Sequence, residues 1–281
     1  MFSSEAWLAN SGSSNFYNGV ATQSLRFDGS AYLSFNPSSA SSATDRRKVT
    51  HSFWVKRCKV GATQYMYTSK VAGSDFHIFG FNSDDTIQVT INASNSNFSY
   101  KTTAKFRDTS AWYHFVLIID TTQGTDTNRV KLYVNGDNVT LTKEYTNHVS
   151  QNYSTLVMND VDDRVGQFSW NNSASLDAYM AESILTIGQD NTIDQFGEVK
   201  NGVWIAKEYE GSYGGNGFRF QFNKTAVGSA DATTIGADTS GNTNHWTSNG
   251  IVVSDCNMPD SPENNFCTLN PLESARKFAD S

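Results

Sequence analysis

Residues 86–92, Thr-Ile-Gln-Val-Thr-Ile-Asn, alternate polar and apolar side chains without a break. A period of two turns one set toward a core and the other toward water, so this segment predicts a half-buried strand. Phe76-His77-Ile78-Phe79-Gly80-Phe81 precedes it, and Asn82-Ser83-Asp84-Asp85 between them supplies turn residues, which predicts a hairpin. A second hairpin is marked by residues 129–134 and 137–141 flanking Asn135-Gly136, a pair that takes the left-handed angles of a type I′ turn. Residues 112–119, Trp-Tyr-His-Phe-Val-Leu-Ile-Ile, are apolar on both faces and too short for a helix, which predicts a central strand covered on each side.

Further strands are expected at 24–28, 32–35, 49–57, 65–69, 164–168, 178–187 and 218–222, with Ser, Gly and Asn between them. Short strands at this spacing build a sandwich or barrel. Helical patterning is confined to 192–198 and 271–280. From about residue 223 apolar residues thin out, and prolines stand at 259, 262 and 271. The expected division is a β-sandwich over 1–222 and a loop-rich extension or linker over 223–281, draped on the sandwich or leading into another module.

Composition narrows the functional classes. Aromatic residues make up 13% of the 281 residues and charged residues 17%, a mixture that suits strands. The net charge of −7 argues against a phosphate-backbone binder, so no nucleic-acid partner is expected. No apolar stretch reaches membrane-spanning length and the N-terminus lacks a signal-peptide pattern, so neither membrane insertion nor export is expected. Cys58, Cys256 and Cys267 have no C-x-x-C spacing and are read as free thiols, with a Cys256–Cys267 pair as the alternative.

Several blocks resemble a known family in order. Leu25-Arg26-Phe27-Asp28-Gly29 and His51-Ser52-Phe53-Trp54-Val55 look like the opening of a laminin-G-like, concanavalin-A-like domain. Ala111-Trp112-Tyr113-His114-Phe115, Lys131-Leu132-Tyr133-Val134-Asn135-Gly136, Arg164-Val165-Gly166 and Asp177-Ala178-Tyr179-Met180-Ala181-Glu182 resemble its later segments. The resemblance implies an all-β, antiparallel jelly-roll β-sandwich. A narrower resemblance, to structural proteins of marine bacteriophages, lies in Phe196-Gly197-Glu198, Gly202-Val203-Trp204-Ile205-Ala206-Lys207, Gly211–Phe218, Asp238-Thr239-Ser240-Gly241-Asn242 and Asp260-Ser261-Pro262-Glu263-Asn264-Asn265-Phe266. It implies a tail-fibre or virion protein at a particle surface, non-enzymatic and homo-oligomeric, with other virion proteins and host surface glycans as partners. A purely architectural decoration or connector is the alternative reading, and a polysaccharide hydrolase a remote one.

No residue pattern calls for a catalytic group, a cofactor or a metal. Glycoside hydrolysis needs two carboxylates flanking one bond. Asp177 and Glu182 are the nearest pair, yet they stand five apart and fall on opposite faces of a strand. His114, inside an apolar strand, reads as a hydrogen-bonded core histidine. Asp160-Val161-Asp162-Asp163 reads as a solvated turn, with calcium binding as the alternative. The ligand-binding candidate is Trp170 in Gln167-Phe168-Ser169-Trp170-Asn171-Asn172-Ser173, where an aromatic face is flanked by amides and hydroxyls. The competing reading packs Trp170 on the sandwich edge or a neighbouring subunit. Trp54, Trp112 and Trp204 lie in apolar runs and are read as core, and Tyr213 as a turn anchor.

Overall fold

The computed structural model describes residues 16–70, 75–93, 96–145, 147–169 and 171–267. Its strands are β1 (Leu25–Asp28), β2 (Tyr32–Phe35), β3 (Lys48–Arg57), β4 (Gln64–Lys70), β5 (Phe76–Phe81), β6 (Thr86–Ala93), β7 (Ser96–Lys105), β8 (Tyr113–Asp120) and β9 (Val130–Val134). They continue as β10 (Asp137–Val139), β11 (Leu141–Lys143), β12 (Asp162–Val165), β13 (Asp177–Ile187), β14 (Gly197–Lys200), β15 (Val203–Ala206), β16 (Phe218–Phe220) and β17 (Thr247–Asn249). One sheet runs β1-β13-β3-β8-β9-β10, with β16 also paired to β13, and the other runs β11-β7-β6-β5-β4-β12-β2-β17. All the strand pairs are antiparallel, as the family resemblance implied.

The two sheets close on one core. Phe53 and Val55 from β3, and Phe115, Leu117 and Ile119 from β8, meet Phe79 and Phe81 from β5 and Ile87, Val89 and Ile91 from β6. Each set is spaced by two residues, so a single pleat face carries it inward. The Asn135-Gly136 turn has positive φ at both positions, 50° and 88°, and pairs Val134 with Asp137 as expected of a tight hairpin.

Two local expectations change. The helix expected over 192–198 is one 3-10 turn, Ile193–Gln195, after which Gly197 enters β14 and pairs with Ala206. Glycine is a poor helix former, and pairing with Val203-Trp204-Ile205 satisfies the backbone instead. The segment 271–280 lies outside the described residues. Asp163, read as part of a solvated turn, is fully buried on β12 between β2 and β4.

Residues 223–267 lie on the sandwich. β17 adds to the sheet edge at β2, and Ser24 and Met258 exchange backbone hydrogen bonds of 3.0 and 2.8 Å. Trp246 has no exposed surface. It stacks on Phe35 at 5.6 Å and meets Phe218 and Phe220 edge-on.

The interior also holds polar rings. His51 and His77 stack at 5.3 Å beside Tyr67, whose hydroxyl donates to Asp163 at 2.5 Å, with Ser69 Oγ a second donor. Burial pushes His77 from 6.5 down to about 3 and holds His51 well below its ordinary value. Burial pushes Asp163 the other way, from 3.8 up to about 7, against the hydrogen bonds from Ser69 and Tyr67. The signs oppose. The stability tied to neutral histidine is complete above pH 6.5 and falls toward pH 3, because the unfolded chain takes up protons that the fold refuses. That tied to protonated Asp163 is complete below pH 3.8 and is lost as the pH rises to about 7. His77→Phe is expected to remove one histidine from this balance. A series of urea midpoints should show the acid loss of stability reduced by about 1.4 kcal/mol per pH unit, and an unchanged slope would refute the assignment.

Candidate functional site

The outward residues of β3 and β8 are not left to water. Ser52, Trp54 and Lys56 alternate with the core set on β3, as His114, Val116 and Ile118 do on β8, and all six are at least part-buried. The β14–β15 hairpin and the segment 259–266 cover this face. Trp54, Trp112, Ala181 and Ala206 form a separate buried cluster there, with Tyr179 and Trp204 packed against it. Trp54 and Trp112 are thus buried as the sequence implied, but behind the sandwich rather than between its sheets. Trp204 is part-exposed.

A groove of about 500 Å³ opens on this face, lined chiefly by Tyr17, Trp54, Trp112, Trp204, Asn135 and Glu263. Its aromatic walls are fixed in place. The Trp54 ring lies flat on His114, with centroids 4.5 Å apart and planes within 4°. Trp204 Nε1 donates to His114 Nδ1 at 2.9 Å, so the His114 proton sits on Nε2, which is 2.9 Å from Ser52 Oγ. Burial lowers the His114 pKa to about 3, which keeps Nδ1 an acceptor. The Trp204 indole passes so close to Gly136 and Gly197 that a Cβ there would fall 2.5 and 2.3 Å from its ring. Only glycine permits that approach.

Charged groups hold the rim. Lys56, with no exposed side-chain surface, donates to Asp260 Oδ2 at 2.9 Å, to Asn265 Oδ1 at 2.8 Å and to the Phe266 carbonyl. Trp112 Nε1 donates to the other Asp260 oxygen at 3.1 Å. Glu263 accepts the backbone N–H groups of Gly19, Val20 and Ala21 at 2.8–3.0 Å. Asn135 Oδ1 accepts the His114 N–H at 2.8 Å, which leaves Nδ2 as a donor at the rim. Aromatic faces set beside a few fixed polar groups suit a ligand that is apolar on its ring faces and hydroxylated at its edge.

The other candidates are placed elsewhere. Trp170 lies outside the described residues. In its loop, Phe168 bridges Ser173 and packs edge-on against Tyr65 and Phe76, while Gln167 is buried. Asp177 pairs with Arg26 at 2.5 Å. Glu182 sits at a bulge in β13 with φ of 44°, buried, 2.6 Å from Arg219. Burial raises its pKa to about 7 against the pull of Arg219. Each carboxylate is therefore taken up by an arginine. Asp162 pairs with Arg164 at 2.8 Å, and among the described residues no group of three or more His, Cys, Asp or Glu forms a metal cluster. Cys58, Cys256 and Cys267 are free thiols. Tyr213 anchors its turn by accepting the Ile187 N–H at its carbonyl.

Residues 27–185, more than half of the chain, match the family described as the concanavalin A-like lectin/glucanases superfamily. No curated protein matches the sequence. Among solved structures the fold is similar to a protein from Bacteroides ovatus ATCC 8483, provisionally described as carbohydrate binding, at 17% identity and a TM-score of 0.53. That match covers 83% of this chain, which spans only 59% of the other's length. Mouse laminin α1 domains LG4-5 match at 10% identity and a TM-score of 0.43, over 60% of this chain and 43% of that one. Tailspike protein 2 of Escherichia coli O157:H7 bacteriophage CAB120 matches at 6% identity and a TM-score of 0.43, over 62% and 23%.

Proposed function

The chain belongs to the concanavalin A-like lectin/glucanases superfamily, and on that premise we propose that it is a non-enzymatic glycan-binding module carried as a structural protein on the surface of a bacteriophage particle. The groove carries the binding half of this reading. Its walls offer the part-exposed rings of Tyr17 and Trp204, backed by buried Trp54 and Trp112, and an amide donor, the combination that recognises a sugar ring by its C–H face and its hydroxyls. Asp177 and Glu182, the pair nearest to a hydrolase pattern, are each held by an arginine, which favours binding over hydrolysis.

The virion half rests on resemblance. The blocks at 202–207 and 260–266, which are similar to phage structural proteins, are the segments that wall the groove through Val203, Trp204, Pro262 and Glu263. Host surface glycans are then the ligand, and a homo-oligomer displays several grooves at once. A second reading draws on the exposed apolar residues Val199, Val203 and Phe266 near the same face, which suit contact with another virion protein.

A glycan array separates the two. Tyr17, 36% exposed, lines the groove and meets Phe16 edge-on at 4.9 Å. Tyr17→Ala is expected to weaken glycan binding by about tenfold at an unchanged melting temperature. If the purified protein binds no glycan but retains virion proteins, the architectural reading stands instead. Laminarin-type and host-derived glycans incubated with the protein are expected to release no reducing ends. Mass spectrometry of purified particles tests the address, and absence of this polypeptide from them would end the virion proposal.

A further inference from the structure

Asn-Gly occurs five times, at Asn18, Asn135, Asn201, Asn216 and Asn249. The dipeptide carries a latent reaction, because the glycine nitrogen can attack the asparagine Cγ when the side chain is free to swing and no β-carbon blocks the approach. The fold restrains four of the five. Asn18 Nδ2 donates to Glu198 and to the Ala206 carbonyl, both at 2.9 Å. Asn135 Oδ1 accepts the His114 N–H at 2.8 Å, and Gly136 is pressed against Trp204. Asn216 Nδ2 donates to the Ser39 carbonyl at 2.9 Å. Asn249 Nδ2 donates to Ser34 Oγ at 2.9 Å and to the Thr247 carbonyl at 3.2 Å.

Asn201 differs. It is exposed at the tip of the β14–β15 hairpin, and its side chain has no hydrogen-bond partner among the described residues. The following Gly202 stands in open space. We infer that Asn201 is a site of selective, self-catalysed deamidation. The Gly202 nitrogen bonds to the Asn201 Cγ, and the side-chain amide nitrogen leaves as ammonia, taking the proton from the attacking nitrogen. Water then opens the resulting succinimide at either of its two C–N bonds, giving aspartate or isoaspartate. Water is the only co-reactant, and no atom changes oxidation state.

Each product acts on the groove that Gly202 helps to line. Aspartate adds a negative charge to the rim. Isoaspartate lengthens the backbone of a two-residue turn and loosens the Lys200–Val203 register that seats Trp204. The chemistry does not depend on what the groove binds.

The test holds the full chain in mildly alkaline buffer, folded and in concentrated urea, and maps amide-to-acid mass gain peptide by peptide over time. In the folded protein the Asn201 peptide is expected to convert about tenfold faster than any of the other four. In urea the five rates should converge, and Asn201→Gln should remove the main product of the folded sample. The inference fails if a tethered asparagine converts as fast as Asn201 in the fold. It fails equally if Asn201 stays an amide while the urea-unfolded chain converts.

Discussion

A chain ending at residue 222 is expected to lose cooperative folding altogether. The segment beyond it fills the sandwich with Trp246, Ile235, Ile251 and Cys256, all buried in the main core, and supplies β17 to the edge of β2. Removing Trp246 alone, as Trp246→Ala, deletes a ring with no exposed surface, packed among Phe35, Phe218 and Phe220. That change should cost about 3–5 kcal/mol, against a total of about 5–15 kcal/mol for a domain. The truncation adds three further apolar vacancies and uncovers the β2 edge. Circular dichroism and urea titration of the truncated chain should show no native transition, whereas Trp246→Ala retains one at a lower midpoint. A truncated chain that unfolds at the parental midpoint would show that residues 223–267 are dispensable.

Lys56→Met is expected to cost nearly as much. The substitution leaves Asp260, 5% exposed, without its cation while Trp112 and Phe266 still hold it in place. An unpaired buried charge of this kind costs about 3–5 kcal/mol. Asp260→Leu alone strands the ammonium in the same way. The double variant, with both charges gone, should recover much of the loss, because a buried pair replaced by apolar groups of similar volume is often neutral. The coupling energy from the four midpoints measures this directly. Additive losses in the double variant would show that the two groups do not act as a pair. In either single variant the segment 259–266 should also become sensitive to proteolysis, since it is the part that Lys56 binds.

The strands that alternate strictly or end at Asn-Gly were legible because each signal lies within about ten residues. Thus β5, β6, β9 and β10 follow from local pattern. β7 did not, since its buried Phe98 and Tyr100 stand among Ser, Thr and Asn that read as loop. The role of residues past 222 was hidden for a related reason. One tryptophan in a polar stretch gives no period, yet one is enough when the sheets leave a gap of its size. The groove was the least legible feature. Its walls come from Tyr17, Trp54, Trp112, Asn135, Trp204 and Glu263, six positions drawn from six segments. Only the antiparallel order of β13, β3 and β8 and the fold-back of 259–266 bring them together. Trp204 read as core because its run is apolar, whereas its exposure is decided by the hairpin it belongs to.

Glu263 receives the backbone of residues 19–21, so the first and last parts of the described fold meet within a hydrogen bond of each other. One carboxylate thus ties the segment before β1 to the segment after β17, and it does so at the wall of the groove. Loss of that clasp would free both flanks of the sandwich together, so the rim of the groove and the closure of the fold open as one unit.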